Sequence, residues 1–293
     1  MMTGESGPKV RRGFVDIAEG QVHYRTANIE DVSNARPLVM LHGSPSSSLT
    51  FAPLIRSMAR SCPVFAPDTV GQGDSCPPVS MKEEMPYFAD TVLRVLNTFG
   101  EKFKSFDLYG THTGAAIAVE TAIAAPDRVN KLILDGIKTA PQEWTADYAE
   151  HLDKSHLIDT DGTQFTTVWN SMRNTMLFWP PDRHSREYLR PCGLPTAQKL
   201  HDLVLDVLKG IRTNHVPYRA AVLYKAADRL PLLGVPTLIT CARWDMLWDD
   251  MDRAAIMIPD SRVKAHPSNN PETHATPEEV EVLADMLIDW LKP

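Results

Sequence analysis

The stretch Asp107-Leu-Tyr-Gly-Thr-His-Thr-Gly-Ala-Ala116 decides the fold, because a strand, a tight turn and a helix follow one another in it. Residues 105–109 have the apolar and aromatic character of a buried strand, and residues 115–125 have a small-residue helix pattern. Gly110 and Gly114 stand two positions before and after His112, which gives the frame G-x-nucleophile-x-G of a strained turn that projects its central side chain above a sheet. The frame predicts a fold, and the histidine at its centre raises the question of the chemistry.

Strands and helices alternate on both sides of this turn. Residues 37–41 are a continuous apolar run, typical of a strand covered on both faces, and an amphipathic helix pattern follows them. Further strand patterns lie at residues 13–18, 21–26, 63–66, 131–134, 236–241 and 262–265, and helix patterns at residues 49–60, 85–99 and 276–291. This alternation predicts a mostly parallel sheet with right-handed crossovers.

The alternation stops between residues 137 and 229, where the sequence is helical in tendency and has no strand pattern. We therefore expect a core domain of residues 1–136 and 230–293, with an inserted helical cap of residues 137–229. Large aromatic side chains of the cap are candidates for a pocket wall and favour a hydrophobic or aromatic substrate. The substrate-binding candidates are Trp169, Phe178, Trp179 and Tyr218, with Arg173, His184 and Tyr188 as further ones.

Composition narrows the class of partner. The formal net charge of −7 argues against a nucleic-acid or anionic-membrane surface, which needs clustered Lys and Arg. No apolar run approaches the roughly 18 residues of a membrane span, and residues 1–12 lack a signal-peptide core. The four cysteines form no CxxC pair, which favours reduced thiols over a zinc site or a disulfide framework. We expect a cytoplasmic monomer or homodimer that acts on a small molecule without a cofactor.

Four landmarks in order resemble the α/β-hydrolase superfamily. They are His42-Gly43-Ser44-Pro45, the loop Ala66-Pro-Asp-Thr-Val-Gly-Gln-Gly-Asp-Ser75, the turn around His112, and the pair Asp245 and His274. The first two are similar to the HGxP and APDxxGxGDS loops of epoxide hydrolases and haloalkane dehalogenases. The resemblance spans about residues 13–291 and implies an α/β fold with a mostly parallel eight-stranded sheet, flanking helices and an inserted helical cap. It also implies a cofactor-free enzyme that hydrolyses an ester, a lactone or an activated C–C bond.

The resemblance also implies roles for individual residues. Asp245 follows a strand at the usual place of the acid that orients a histidine, and Asp135 is the alternative acid. His274 precedes the last helix, where the superfamily has its base, although Thr273 replaces the usual glycine and His266 is a competitor. The backbone N–H groups of Ser44 and Thr113 are the expected oxyanion-hole donors. His42 is expected at the substrate pocket, bracing its loop.

His112 leaves the mechanism open. An imidazole can attack a carbonyl directly, or it can act as a general base, since its ordinary pKa of about 6.5 suits proton transfer at neutral pH. It could also bind a metal with His274 and Asp245, but the sequence shows no close ligand spacing. Dehalogenase and epoxide hydrolase chemistry needs a carboxylate nucleophile, which His112 does not supply. The alternatives to a hydrolase are a lyase or other proton-abstracting enzyme and a non-catalytic binding protein.

Overall fold

The computed structural model describes residues 8–30, 35–79, 81, 84–139, 145–152, 158–271 and 273–292. The strands are β1 (Arg11–Ile17), β2 (Gly20–Ala27), β3 (Leu38–Leu41), β4 (Val64–Pro67), β5 (Phe106–Thr111), β6 (Val129–Asp135), β7 (Thr237–Thr240) and β8 (Ser261–Val263). The α-helices are α1 (Ala52–Met58), α2 (Met85–Asn97), α3 (Thr113–Ala124), α4 (Thr145–Leu152), α5 (Thr163–Leu177), α6 (Ala197–Lys209), α7 (His215–Leu223), α8 (Ala226–Arg229), α9 (Met251–Met257) and α10 (Pro277–Leu291).

The strands of the described ranges form one eight-stranded sheet in the order β1-β2-β4-β3-β5-β6-β7-β8. The hairpin β1–β2 is antiparallel, and β2 also runs antiparallel to β4. Each remaining pair is parallel. The predicted α/β-hydrolase fold, with its mostly parallel sheet, is confirmed. Because β3 and β5 are adjacent and parallel, their carboxyl ends bring Gly43 and His112 to the same edge of the sheet.

Both faces of the sheet are buried. Successive strand residues point to opposite faces, so Val39 and Leu41 join one apolar cluster and Leu38 and Met40 join the other. The first cluster includes buried residues of α2 and α3, and the second those of α1 and α10. Burial on both sides explains the continuous apolar run of residues 37–41.

The turn from β5 into α3 depends on its two glycines. A Cβ on Gly110 would lie 2.3 Å from the carbonyl oxygen of Gly114, and a Cβ on Gly114 would lie 1.9 Å from the carbonyl oxygen of Leu41. Only glycine permits this approach of α3 to β3 and β5. His112 between them has φ of +50°, a positive value that non-glycine residues rarely adopt. The strained turn predicted from the frame is therefore present.

The segment between β6 and β7 carries the helices α4 to α8. Its α5 and α6 have an apolar cluster of their own, separate from those of the sheet, which includes Val168, Met172, Leu203 and Val207. At the end of the chain, α10 begins with the predicted capping box, in which Thr276 and Glu279 bond each other's backbone N–H groups. Every helix in the described ranges is too short or too polar to cross a bilayer.

Candidate active site

A cavity separates the sheet's edge from the helical segment, and its empty space, with open solvent at the mouth included, is about 1260 Å³. Its floor includes Gly43, Ser44, His112, Thr113, Asp135, Asp245 and His266, and its roof includes Met172, Met176, Trp179, Arg190, Leu203 and Tyr218. The roof thus comes from α5, α6, α7 and the loops between them. Polar and titratable groups therefore meet an apolar wall, which is the usual composition of a small-molecule site.

His112 and Asp245 form a hydrogen-bonded pair in the floor. Nε2 of His112 lies 3.0 Å from Oδ2 of Asp245, and the amide of Leu247 donates to Oδ1 of Asp245 over 2.9 Å. Burial raises the pKa of the Asp245 carboxyl, but the charge and hydrogen bond of His112 and the Leu247 amide outweigh it, so the pKa lies below its ordinary value. An ionised Asp245 accepts the Nε2 hydrogen, which leaves the lone pair of a neutral imidazole on Nδ1.

His274 is bonded elsewhere. Its Nε2 lies 2.9 Å from the carbonyl oxygen of Gly193 in the helical segment, and its Nδ1 lies 2.9 Å from Oγ1 of Thr273. Burial, with the nearby charge of Arg190, lowers the pKa of His274 to about 4, so the ring is neutral at pH 7. The structure thus places the expected base against a roof loop, outside the cavity wall formed by the described residues.

His266 and Asp135 occupy the floor beside the pair. His266 lines the cavity and contacts Ser268 through Nδ1. Asp135 accepts a 2.6 Å hydrogen bond from the Tyr109 hydroxyl, and burial raises the pKa of its carboxyl. Of the two candidate acids, Asp245 is the one that hydrogen-bonds His112. The histidine that reaches the cavity from the loop before α10 is His266, the competitor of His274 in the sequence.

His42 lies beneath the floor. It is fully buried, its Nε2 accepts from the Thr69 amide over 2.9 Å, and its Nδ1 lies 2.8 Å from the carbonyl oxygen of Gly43. Burial lowers the pKa of His42, so the neutral ring donates through Nδ1 and braces the loop. The sequence predicted that His42 contacts the substrate. In the structure both of its ring nitrogens bond backbone groups instead.

A buried Asp68 holds the same loop from the other side. Its carboxylate accepts from the Ser48 amide over 2.9 Å and the Asp74 amide over 3.1 Å, and lies 2.8 Å from Nδ1 of His23. Burial raises the pKa of Asp68, but the hydrogen bond of His23 and the charge of His42 outweigh it and bring the pKa to about 2. His23, Asp68 and Asp74 could also group around a metal ion. Because N–H donors already use the Asp68 oxygens, the contacts fit loop bracing.

Ser44 and Thr113 both border the cavity. Thr113 is the first residue of α3, and the first N–H groups of an α-helix have no acceptor within the helix. The helix dipole adds partial positive charge there. Ser44 follows the braced Gly43, and its hydroxyl lies 2.7 Å from Nε2 of Gln72. The two amides therefore lie at the edge of the sheet where a carbonyl oxygen could be bound.

The aromatic candidates of the helical segment divide into two groups. Trp179 and Tyr218 line the cavity. Trp169 and Phe178 lie outside the wall formed by the described residues, and Trp169 is 38 % exposed. Helical periodicity explains Trp169, because α5 turns the row Val168, Met172 and Met176 inward and leaves the next position outside. Arg190 and Lys138 also line the cavity, and neither lies in a sequence motif that could have revealed it.

The comparisons with known proteins agree with this architecture. The sequence model of the family described as alpha/beta hydrolase fold matches residues 36–188, just over half of the chain. The chain belongs to this family.

Among curated proteins, the chain is similar to a 2-hydroxymuconate semialdehyde hydrolase of Pseudomonas sp. (strain CF600), with 32% identity over 139 residues. That alignment covers 46% of each protein, so the chain spans about half the length of the relative it matches. Among solved structures, a thermophilic esterase from Thermogutta terrifontis superposes with a TM-score of 0.69 at 18% identity, covering 96% of this chain and 98% of the esterase. The enol-lactonase from Burkholderia xenovorans LB400 gives 0.69 at 17%, covering 95% and 99%. Both likenesses show the fold.

Proposed function

We propose that the protein is a cofactor-free hydrolase that cleaves an ester, a lactone or an activated C–C bond in a small, largely apolar molecule. One observation carries the proposal: the imidazole at the centre of the strained turn is hydrogen-bonded through Nε2 to the buried carboxylate of Asp245, 3.0 Å away, at the floor of a cavity. A buried carboxylate that orients an imidazole and stabilises its charged form is the arrangement that activates a histidine for proton transfer.

Within this proposal His112 acts as a general base. Asp245 uses Nε2, so the basic nitrogen is Nδ1, which is bonded to the ring carbon that carries Cβ. That position hinders attack on a carbonyl carbon more than it hinders uptake of a proton from water. A base role also suits the side chain's partial exposure of 31 %, which allows water to reach the ring.

The proposed reaction runs in two steps. Nδ1 of His112 takes a proton from water while the water oxygen bonds to the substrate carbonyl carbon, and the amides of Ser44 and Thr113 stabilise the resulting oxyanion. The oxyanion then collapses, the C–O or C–C bond breaks, and the imidazolium returns its proton to the leaving group. Asp245 stabilises the imidazolium between the two steps and remains ionised.

The helical segment completes the proposed site as a cap. Met176, Trp179 and Leu203 face the floor across the cavity, and an apolar roof excludes water from the oxyanion while it accepts an apolar substrate. The relatives support the reaction class, since their names specify hydrolases, among them one for 2-hydroxymuconate semialdehyde and an enol-lactonase. The active unit thus combines core residues 1–136 and 230–293 with cap residues 137–229.

The test is a panel of esters, lactones and β-diketones incubated with the protein in water enriched in oxygen-18, with the products followed by mass spectrometry. Hydrolysis places one solvent oxygen in the acid product. Conversion of a substrate without solvent oxygen would identify a lyase, and saturable binding without turnover across the panel would identify a binding protein; either result contradicts the proposal.

A further inference from the structure

Arg190 is a buried cation at the cavity. The residue is only 7 % exposed, yet it lines the cavity between the helical segment and the sheet. Its Nη1 donates to the carbonyl oxygen of Thr175 over 2.9 Å, while its Nε has no hydrogen-bond acceptor among the described residues. A guanidinium carries five N–H donors, so a single backbone carbonyl satisfies few of them.

The charge of Arg190 also has no ion-pair partner in the part of the chain that the structure describes. Among the described residues no carboxylate oxygen lies within 4.0 Å of the guanidinium, although its charge acts on Asp245 and His274. A buried charge without a partner is costly, and buried arginines normally meet a carboxylate or phosphate. The planar fork of a guanidinium matches a carboxylate through two parallel hydrogen bonds.

The loop that carries Arg190 is fastened at several points. The backbone amide of Arg190 donates to the carbonyl oxygen of Leu177 over 2.7 Å, which ties the loop to the end of α5. Three residues later, the carbonyl oxygen of Gly193 is held 2.9 Å from Nε2 of His274. His274 therefore fastens a roof loop to the core domain.

We propose that Arg190 is the anion-binding residue of this cavity and that the molecule taken there carries a carboxylate, with His274 as a positioning residue that holds the arginine loop through Gly193. As a statement about the substrate of a hydrolase, this inference rests on the proposed function. The orphaned Nε–H and the free charge of Arg190 receive the carboxylate. The carbonyl to be cleaved lies toward His112, and the apolar wall of Met176 and Trp179 surrounds the part between them.

The test compares phenylacetate with phenylacetamide, which match in shape and differ in charge. Affinities are measured by titration calorimetry at constant ionic strength. We expect the wild-type protein to bind phenylacetate about tenfold or more tightly than phenylacetamide, as a charge-assisted bidentate contact provides. Arg190→Gln should reduce this preference to within about twofold, and Arg190→Lys, which keeps the charge, should retain part of it.

Arg212→Gln is the matched control, because Arg212 is an exposed arginine of the same segment outside the cavity wall. It should bind phenylacetate like the wild type. The proposal is overturned if the wild type shows no saturable phenylacetate binding, if the two ligands bind equally, or if the preference survives in Arg190→Gln. Phenylacetate has no bond that a hydrolase cleaves, and chromatography of the phenylacetamide sample after titration checks that its amide bond is intact, so the outcome is independent of turnover. Failure of the proposed hydrolysis is separately detected in the oxygen-18 assay.

The role of His274 is tested with the same two ligands. His274→Ala removes the donor to Gly193 and should weaken phenylacetate binding about threefold or more while phenylacetamide binding stays unchanged. His274→Gln places an amide N–H at a similar reach and should restore the carboxylate preference. Equal loss for both ligands, or no loss in His274→Ala, would contradict the positioning role.

Discussion

Nε2 of His112 and Oδ2 of Asp245 meet at 3.0 Å across the carboxyl end of β6, although their strands β5 and β7 are not neighbours in the sheet. Gly136, immediately after β6, lies beneath the imidazole. It has φ of +72°, and a Cβ there would be 3.0 Å from Cδ2 and 3.1 Å from Nε2 of His112. The gap left by the missing side chain is thus the space in which the ring reaches the carboxylate.

Gly136→Ala should therefore lower turnover by about 100-fold, because a methyl group would displace the ring from Asp245 and small displacements of catalytic groups are costly. Gly100→Ala is the control for backbone strain, since Gly100 has φ of +60° and a Cβ at that position would have no other atom within 4 Å. Both variants should lose about 1 kcal/mol of unfolding free energy. Equal activity in the two variants would contradict the packing argument.

The two acids of the floor should differ in their effect on rate. Asp245→Asn removes the charge that holds the His112 tautomer, so kcat should fall by about 100-fold to 10,000-fold. Asp135→Asn should change kcat by less than about threefold, because burial raises the pKa of Asp135 and its carboxyl bonds Tyr109 instead. Steady-state kinetics on the best panel substrate measures both. A larger loss of kcat in Asp135→Asn than in Asp245→Asn would show that Asp135, at the end of β6, is the acid.

His274 makes folding stability depend on pH. Its folded-state pKa of about 4 lies below the unfolded value of about 6.5, so the unfolded chain takes up a proton first as the pH falls. The contribution is fully present above pH 6.5, is lost between pH 6.5 and 4, and amounts to about 3 kcal/mol.

Urea unfolding of the wild type and His274→Gln at pH 7 and pH 4.5 measures this contribution. The wild type should lose more unfolding free energy than the variant over that range, because glutamine does not titrate. Parallel losses in the two proteins would show that His274 is solvated in the folded state.

Intact-mass analysis of an acid-quenched reaction separates a base from a nucleophile at position 112. A general base leaves the protein mass unchanged during turnover, whereas attack by Nδ1 adds the acyl group of the substrate. We expect no adduct in the wild type. An adduct that is absent in His112→Ala would show that His112 acts as a nucleophile and not as a base.

Local patterns explain why the fold could be predicted so fully. The glycines at 110 and 114, the apolar run of residues 37–41 and the capping box at Thr276 each act through contacts close in sequence or through a repeated pattern of burial. The position of Asp245 at a strand end also follows from the sequence, because the carboxyl ends of parallel strands share one edge.

The rest of the site depends on contacts between distant segments. The residues around His266 and His274 do not reveal that His266 faces the cavity and His274 bonds Gly193. The difference depends on the position of the roof loop, which is distant in sequence. The proposed role of Arg190 could likewise not be predicted from the sequence. It depends on the burial of its guanidinium and on the lack of a nearby carboxylate among the described residues. Met172 and Met176 lie on the inward face of α5, and Trp169 does not, because it is one position beyond the inward-facing Val168. Aromatic content alone does not reveal this.

The catalytic role of His112 is tested most directly by the turnover of His112→Ala on the best substrate of the wild type. His201→Ala, which removes an exposed histidine of the helical segment, is the matched control, and thermal unfolding confirms that both variants are folded. We expect His112→Ala to lose at least about 100-fold in kcat, while His201→Ala keeps wild-type activity. Activity of a folded His112→Ala within about threefold of the wild type would contradict a catalytic role for the imidazole at the centre of the turn.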